Sequence, residues 1–236
     1  MKSKYYSIIF FILTLNISTS AQSIEGTCGL LFIPTAEMQE DGQIRIGAGF
    51  IPKFIVSFDG YKRDAITPFF TFSFLPFVEM NGRITRIINP ISKTQGIGDR
   101  TISIRIRLIS ESNYFPAAVV GLHDLAGIYG GPEAVRNNSL YFVLSKHFSV
   151  DVKNNFLIGV HSGYGSDKIK AQHHNFVGLF GGMSLKVFDL IELMGEYDAE
   201  RFNTGIRLTL FRHIKLLGGF MDLKYFSGGA SFSFVL

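Results

Sequence analysis

Tryptophan is absent from this chain of 236 residues, and cysteine occurs once, at Cys28. A lone cysteine forms no internal disulfide and supplies no multi-cysteine metal site, so disulfide scaffolds and zinc ribbons are excluded. Beyond residue 21 no apolar run approaches the ~20 residues that a helix needs to cross a bilayer. Aliphatic and aromatic residues nevertheless make up 47% of the chain, so the apolar content is spread over short segments. Linkers rich in Pro or Ser, charge blocks and low-complexity tracts are also lacking, which leaves a single domain. The formal charge of +4 is dispersed rather than gathered into a nucleic-acid footprint, and no nucleic-acid partner is expected.

What is present begins with a signal-like start. Lys2 and Lys4 precede the apolar run from Ile8 to Leu15, followed by the small, polar stretch from Asn16 to Ala21. This is the pattern of a cleaved secretory signal, with the cut placed after Ala21 and Gln22 as the mature N-terminus. A membrane anchor is disfavoured because the apolar core is too short. Lipoprotein processing requires a cysteine directly after the cut, and Cys28 lies several residues too late; it reads as a small packed residue.

The mature chain alternates with period two, the signature of strands with one apolar and one polar face. Ile102, Ile104, Ile106 and Leu108 share one face, opposite Ser103, Arg105 and Arg107. Val78, Met80 and Ile84 oppose Glu79, Asn81, Arg83 and Thr85, and Ile206, Leu208 and Leu210 oppose Arg207 and Thr209. At the C-terminus Phe232, Phe234 and Leu236 alternate with Ser231 and Ser233, an ending that resembles the recognition signal of the outer-membrane assembly machinery.

The periodicity predicts strands near 43–51, 68–75, 77–87, 100–109, 116–125, 139–148, 155–165, 175–187, 190–198, 202–211, 214–222 and 225–236. The fold class expected is all-β, an antiparallel transmembrane β-barrel of about twelve strands, with roughly ten to fourteen open. Long connections follow the odd-numbered strands and short ones the even, as in outer-membrane barrels whose long loops face the exterior. Around Ala199 and Leu223 the outer connections are short and break this trend. Alternation alone leaves open a soluble barrel or sandwich that buries the same apolar stripes. Export, the loop asymmetry and the C-terminal strand favour lipid, so the location expected is the outer membrane of a Gram-negative cell.

Side-chain orientation then follows from magnitude. An Arg facing lipid at mid-depth costs ~2–4 kcal/mol, so Arg83, Arg105 and Arg107 are expected to line the lumen. The same alternation groups Glu192, Glu196 and Asp198, and with Glu79 and Arg207 these form an interior of mutually compensating charge. Residues 22–42 precede the first strand, with Thr35 able to cap a short helical turn. The simpler role for this segment is a periplasmic lead-in covering one barrel end; the alternative is insertion into the lumen as a plug.

Several stretches resemble the YjbH family of outer-membrane proteins associated with exopolysaccharide production. They are Pro34-Thr35-Ala36 and Asp41-Gly42, Leu75-Pro76-Phe77-Val78-Glu79 leading to Arg83, and Gly98-Asp99-Arg100. Further on come Arg107-Leu108-Ile109-Ser110-Glu111, Tyr114-Phe115-Pro116-Ala117, Gly121-Leu122-His123-Asp124-Leu125-Ala126-Gly127, Ser145-Lys146 and Glu196-Tyr197-Asp198. The resemblance implies an outer-membrane barrel with a role in making, exporting or retaining extracellular polysaccharide, and it carries over no catalytic residues. Enterobacterial members are longer, so a function residing in their additional chain is not implied here.

Catalytic patterns are weak. His161-Ser162 and His123-Asp124 are neighbours on strands, whose side chains point to opposite faces. His173 and His174 fall in an outer loop, where solvated histidines are the plainer reading than a metal site. Gly181-Gly182, Gly218-Gly219 and Gly228-Gly229 lack the context of a phosphate loop and suit strand bends instead. Asn137-Asn138-Ser139 reads as an ordinary turn. No cofactor, metal or catalytic residue is expected. Two functions follow: a structural or transport component meeting an acidic polysaccharide and export proteins, or a barrel enzyme acting on lipid or glycan.

Overall fold

Strands with unlike faces need a surface with two sides, and this chain builds one by pairing twelve strands edge to edge. The structure, a computed structural model, describes residues 21–55, 57–58, 61–88, 97–127, 137–151, 155–169 and 173–236. The signal-like residues 1–20 and parts of the long connections lie outside the described residues. Among those described, the wall comprises β1 (Gln43–Ile51), β2 (Ala65–Leu75), β3 (Val78–Ile87), β4 (Ile97–Ile109), β5 (Ala117–Gly127) and β6 (Asn137–Ser149). It continues with β7 (Phe156–Ser166), β8 (Gly178–Val187), β9 (Ile191–Tyr197), β10 (Phe202–Leu210), β11 (Ile214–Met221) and β12 (Tyr225–Val235). Each strand pairs antiparallel with the next, and β12 returns to β1 from Gln43↔Val235 to Phe50↔Gly228, which closes the barrel and leaves no wall strand unpaired.

All twelve strands fall within a few residues of the expected spans. Three tight turns form on residues that give little warning in sequence. Phe188-Asp189, Phe211-Arg212 and Asp222-Leu223 all adopt positive φ, as a two-residue hairpin turn matched to strand twist requires. Their closing bonds run from Leu190 N–H to Val187 O, His213 N–H to Leu210 O and Lys224 N–H to Met221 O.

Alternation resolves into an apolar exterior and a polar interior. Ile46, Phe70, Ile106, Leu179, Leu193 and Phe220 are among the exposed apolar side chains, while Arg45, Arg105, Arg207 and Lys215 are among the largest fully buried ones. A soluble barrel would reverse this arrangement.

Three local expectations are corrected. No helical turn forms at Thr35; Gly29 and Pro34 pair as an isolated antiparallel bridge, and Thr35 N–H donates to Cys28 O at 3.2 Å. His123 and Asp124 do not take opposite faces. The β4–β5 register shifts between Ile102 and Ile104, Asp124 takes φ +49°, and both side chains are buried, because a bulge interrupts the pleat. Finally, Asn137 and Asn138 begin β6 rather than forming a turn, and they pair in parallel with His173–His174.

Candidate functional site

The lumen is occupied by the chain's own N-terminal segment. Residues 22–39 are almost entirely buried, and charged side chains from the wall grip their backbone. The simpler expectation, a cover over one barrel end, is therefore corrected: the bonds run to side chains along the inner faces of the strands. A segment without regular secondary structure leaves its own N–H and C=O groups open, and burial is tolerable only if something bonds them. Here the wall does so.

Two carboxylates take the donors. Glu196 accepts the N–H groups of Leu31 at 3.0 Å, Phe32 at 2.9 Å and Ile33 at 3.3 Å, together with Asn203 Nδ2 at 3.0 Å. Glu79 accepts Cys28 N–H at 3.2 Å, the Cys28 thiol at 3.1 Å and Gln39 N–H at 3.2 Å, while pairing with Arg105 at 2.9 Å. Two guanidinium groups take the acceptors. Arg207 donates to the carbonyls of Gln22 at 2.8 Å, Gly29 at 2.6 Å and Leu30 at 3.0 Å, and pairs with Glu192. Arg105 donates to the carbonyls of Thr35 and Glu37.

Arg83 completes the set by pairing with Asp124 and, at 3.6 Å, with Glu25 of the plug, which His123 also meets at 3.2 Å. Burial pushes the Glu25 carboxyl up, but Arg83 and His123 outweigh it and hold the group down at about 2. At the opposite end His147 lies between two carboxylates, with Nε2 3.0 Å from Glu37 and Nδ1 2.7 Å from Glu111. Both ring nitrogens can donate here, tying the plug's exit to the 110–116 connection.

The wall candidates expected from sequence thus lie on the interior side with different tasks. Glu79, Arg105, Glu196 and Arg207 hold the plug backbone, Arg83 holds Glu25, and Glu192 holds Arg207. Arg107 sits at the rim and donates to Pro76 O at 2.6 Å. Asp198 lies just past β9, accepting the N–H groups of Glu200 and Arg201. His174 is half-buried, with Nδ1 bonded to Asn138 O at 3.0 Å; His173 contributes backbone pairing, and its side chain lies outside the described residues. Sequence reading missed Arg45 and Lys215, both buried on inward positions of β1 and β11, although the same alternation marks them.

It also missed a Ser–His pair. Ser145 and His161 are register partners on β6 and β7, with Nδ1 2.8 Å from Oγ. His161–Ser162 splits across the two faces as expected. The Ser145 oxygen is buried and accepts Ala36 N–H at 2.7 Å, so it serves as another anchor for the plug.

Glycines set the clearance. Gly49 faces inward, and a methyl there would collide with Ile24 O; one added at Gly219 would lie 2.9 Å from the Leu31 side chain. Overpacking of this kind costs ~1–3 kcal/mol. Gly49→Ala is therefore expected to displace the plug near Ile24 and raise amide exchange at Ile24 and Gly26 about ten-fold, read by hydrogen–deuterium exchange. Exchange at Leu31 to Ile33, held by Glu196, should change far less. Equal rates at Ile24 in both proteins would mean that the wall yields instead.

A closed antiparallel barrel, apolar outside and plugged by an N-terminal segment held on buried charges, is the class that fold and site define. The model of the YjbH family, described as "Exopolysaccharide biosynthesis protein YbjH", matches residues 21–207, which include the plug and the wall through most of β10. The chain belongs to this family. No curated protein matches it.

Proposed function

We propose that this protein is a plugged outer-membrane barrel of a Gram-negative cell, exported by a cleaved signal, and a non-catalytic component of exopolysaccharide production, export or retention. The observation that carries the reading is the exposed apolar exterior around a closed wall with buried guanidinium groups, in a chain of the exopolysaccharide family. Contiguous apolar patches of soluble monomers seldom exceed ~300–600 Å², whereas hydrocarbon suits such a wall and demands its closure. Its partners are then outer-membrane lipid, the assembly machinery that inserts barrels, and polysaccharide with its export proteins. The non-catalytic part is supported by Ser145 and His161 being buried beneath Ala36. Turnover of phospholipid or lipopolysaccharide abolished by His161→Ala would favour a barrel enzyme instead. The test of the main reading is membrane fractionation combined with gene deletion. Outer-membrane recovery and a fall in extracellular polysaccharide are expected; a soluble product or unaltered polysaccharide overturns it.

A further inference from the structure

At one end of the barrel, described residues of the plug and of the strand connections line a cavity of about 300 Å³. Its floor is apolar: Phe32 at the tip of the plug packs on Phe176 with ring centroids 5.0 Å apart, beside Ile55. Its rim is polar and electrically balanced, with Lys62 and Arg201 against Asp198 and Glu200. Asp198 is already spent on the backbone of its turn, and Glu200 pairs with Arg201.

We propose that this cavity is a binding subsite for a neutral hexopyranose unit of a polysaccharide. The inference rests on the polysaccharide reading above for its class of ligand. A pyranose presents an apolar C–H face and an edge of hydroxyls that both donate and accept. The floor supplies the apolar surface, with Arg201 stacked 5.2 Å over the Phe54 ring at the rim. At the edge, Asn175 Nδ2 is buried and has no partner among the described residues, a cost that a ligand oxygen removes. Its neighbour His174 donates from Nδ1 to Asn138 O, and in that tautomer Nε2 is an acceptor. One donor and one acceptor are what hydroxyls require.

An acidic sugar is the poorer fit. Sequence reading expected charge in the lumen to meet an acidic polymer, but Arg83, Arg105 and Arg207 are engaged by carboxylates and plug carbonyls. At the mouth a uronate carboxylate would gain Lys62 while meeting Asp198 and Glu200, with no net attraction.

The test uses the whole protein in detergent micelles and saturation-transfer NMR. The probes are gluco-, galacto- and manno-configured hexasaccharides, with hexagalacturonate as the acidic counterpart. At least one neutral hexasaccharide should bind, and hexagalacturonate about ten-fold or more weakly. Asn175→Ala combined with Arg201→Ala should weaken the neutral ligand about ten-fold, with folding checked by heat-modifiable gel mobility. Absence of neutral binding, equal uronate affinity, or unchanged affinity in the folded variant overturns the subsite. Gene deletion reads the broader role separately: polysaccharide lost on deletion without sugar binding sinks the subsite alone, and binding without a deletion effect sinks the role alone.

Discussion

Arg207→Ala is expected to release the plug. The guanidinium is buried to 1% exposure, pairs with Glu192 and donates to three plug carbonyls. Removing it strands the Glu192 carboxylate and frees the carbonyls of Gln22, Gly29 and Leu30 at once. Breaking a buried pair on one side costs ~3–5 kcal/mol, and each ~1.4 kcal/mol is a factor of ten. Amide exchange across residues 22–33 should therefore rise by about 10²- to 10³-fold. In planar bilayers, conductance should appear as the lumen clears. Arg107→Ala provides the control, since among the described residues its guanidinium bonds Pro76 O at the rim and no plug carbonyl; its effect should stay under about 1 kcal/mol. Arg207→Lys should rescue little, because one ammonium cannot reproduce the fork that reaches Glu192 and the plug together. Plug amides as protected as in the parent protein would refute the gripping role of Arg207.

The second large effect lies on the other face. Leu193 and Ile206 are register partners near the middle of β9 and β10, and they are 48% and 41% exposed. If hydrocarbon covers them, Leu193→Arg or Ile206→Arg costs ~2–4 kcal/mol each. The double variant should then lose about 4–8 kcal/mol, read by urea titration after refolding into lipid vesicles. On a surface facing water the same replacements would fall within about 0.5 kcal/mol of neutral. The sizes differ enough that one titration decides whether the wall meets lipid, and near-neutral variants would remove the outer-membrane placement.

These two residues also show what sequence made legible. Leu193 and Ile206 sit on the apolar side of an alternating run, and Glu192 and Arg207 on the polar side of the same strands. Ser145 and His161 were legible in principle, because pairing β6 to β7 in register brings them opposite one another. The bulge at His123-Asp124 was not: between Leu122 and Ala126 β5 advances four residues while β4 advances two, and two extra residues leave the alternation in phase on either side. The choice of plug over end cover was hidden for a different reason. Residues 22–42 have no period, and their partners lie far along the chain: Gln22 meets Arg207 across 185 residues and Leu31 meets Glu196 across 165.

Sequence by itself determined the approximate strand spans, which residues share a face and where charge is concentrated. Side-chain alternation is a local property of extended backbone, written into every second residue. Tertiary structure decided that the ring closes on twelve strands, that the N-terminal segment fills the lumen rather than covering one end, and which loop residues meet at its mouth. Those outcomes depend on ring closure between β1 and β12 and on bonds between distant segments, and no local pattern records such partners.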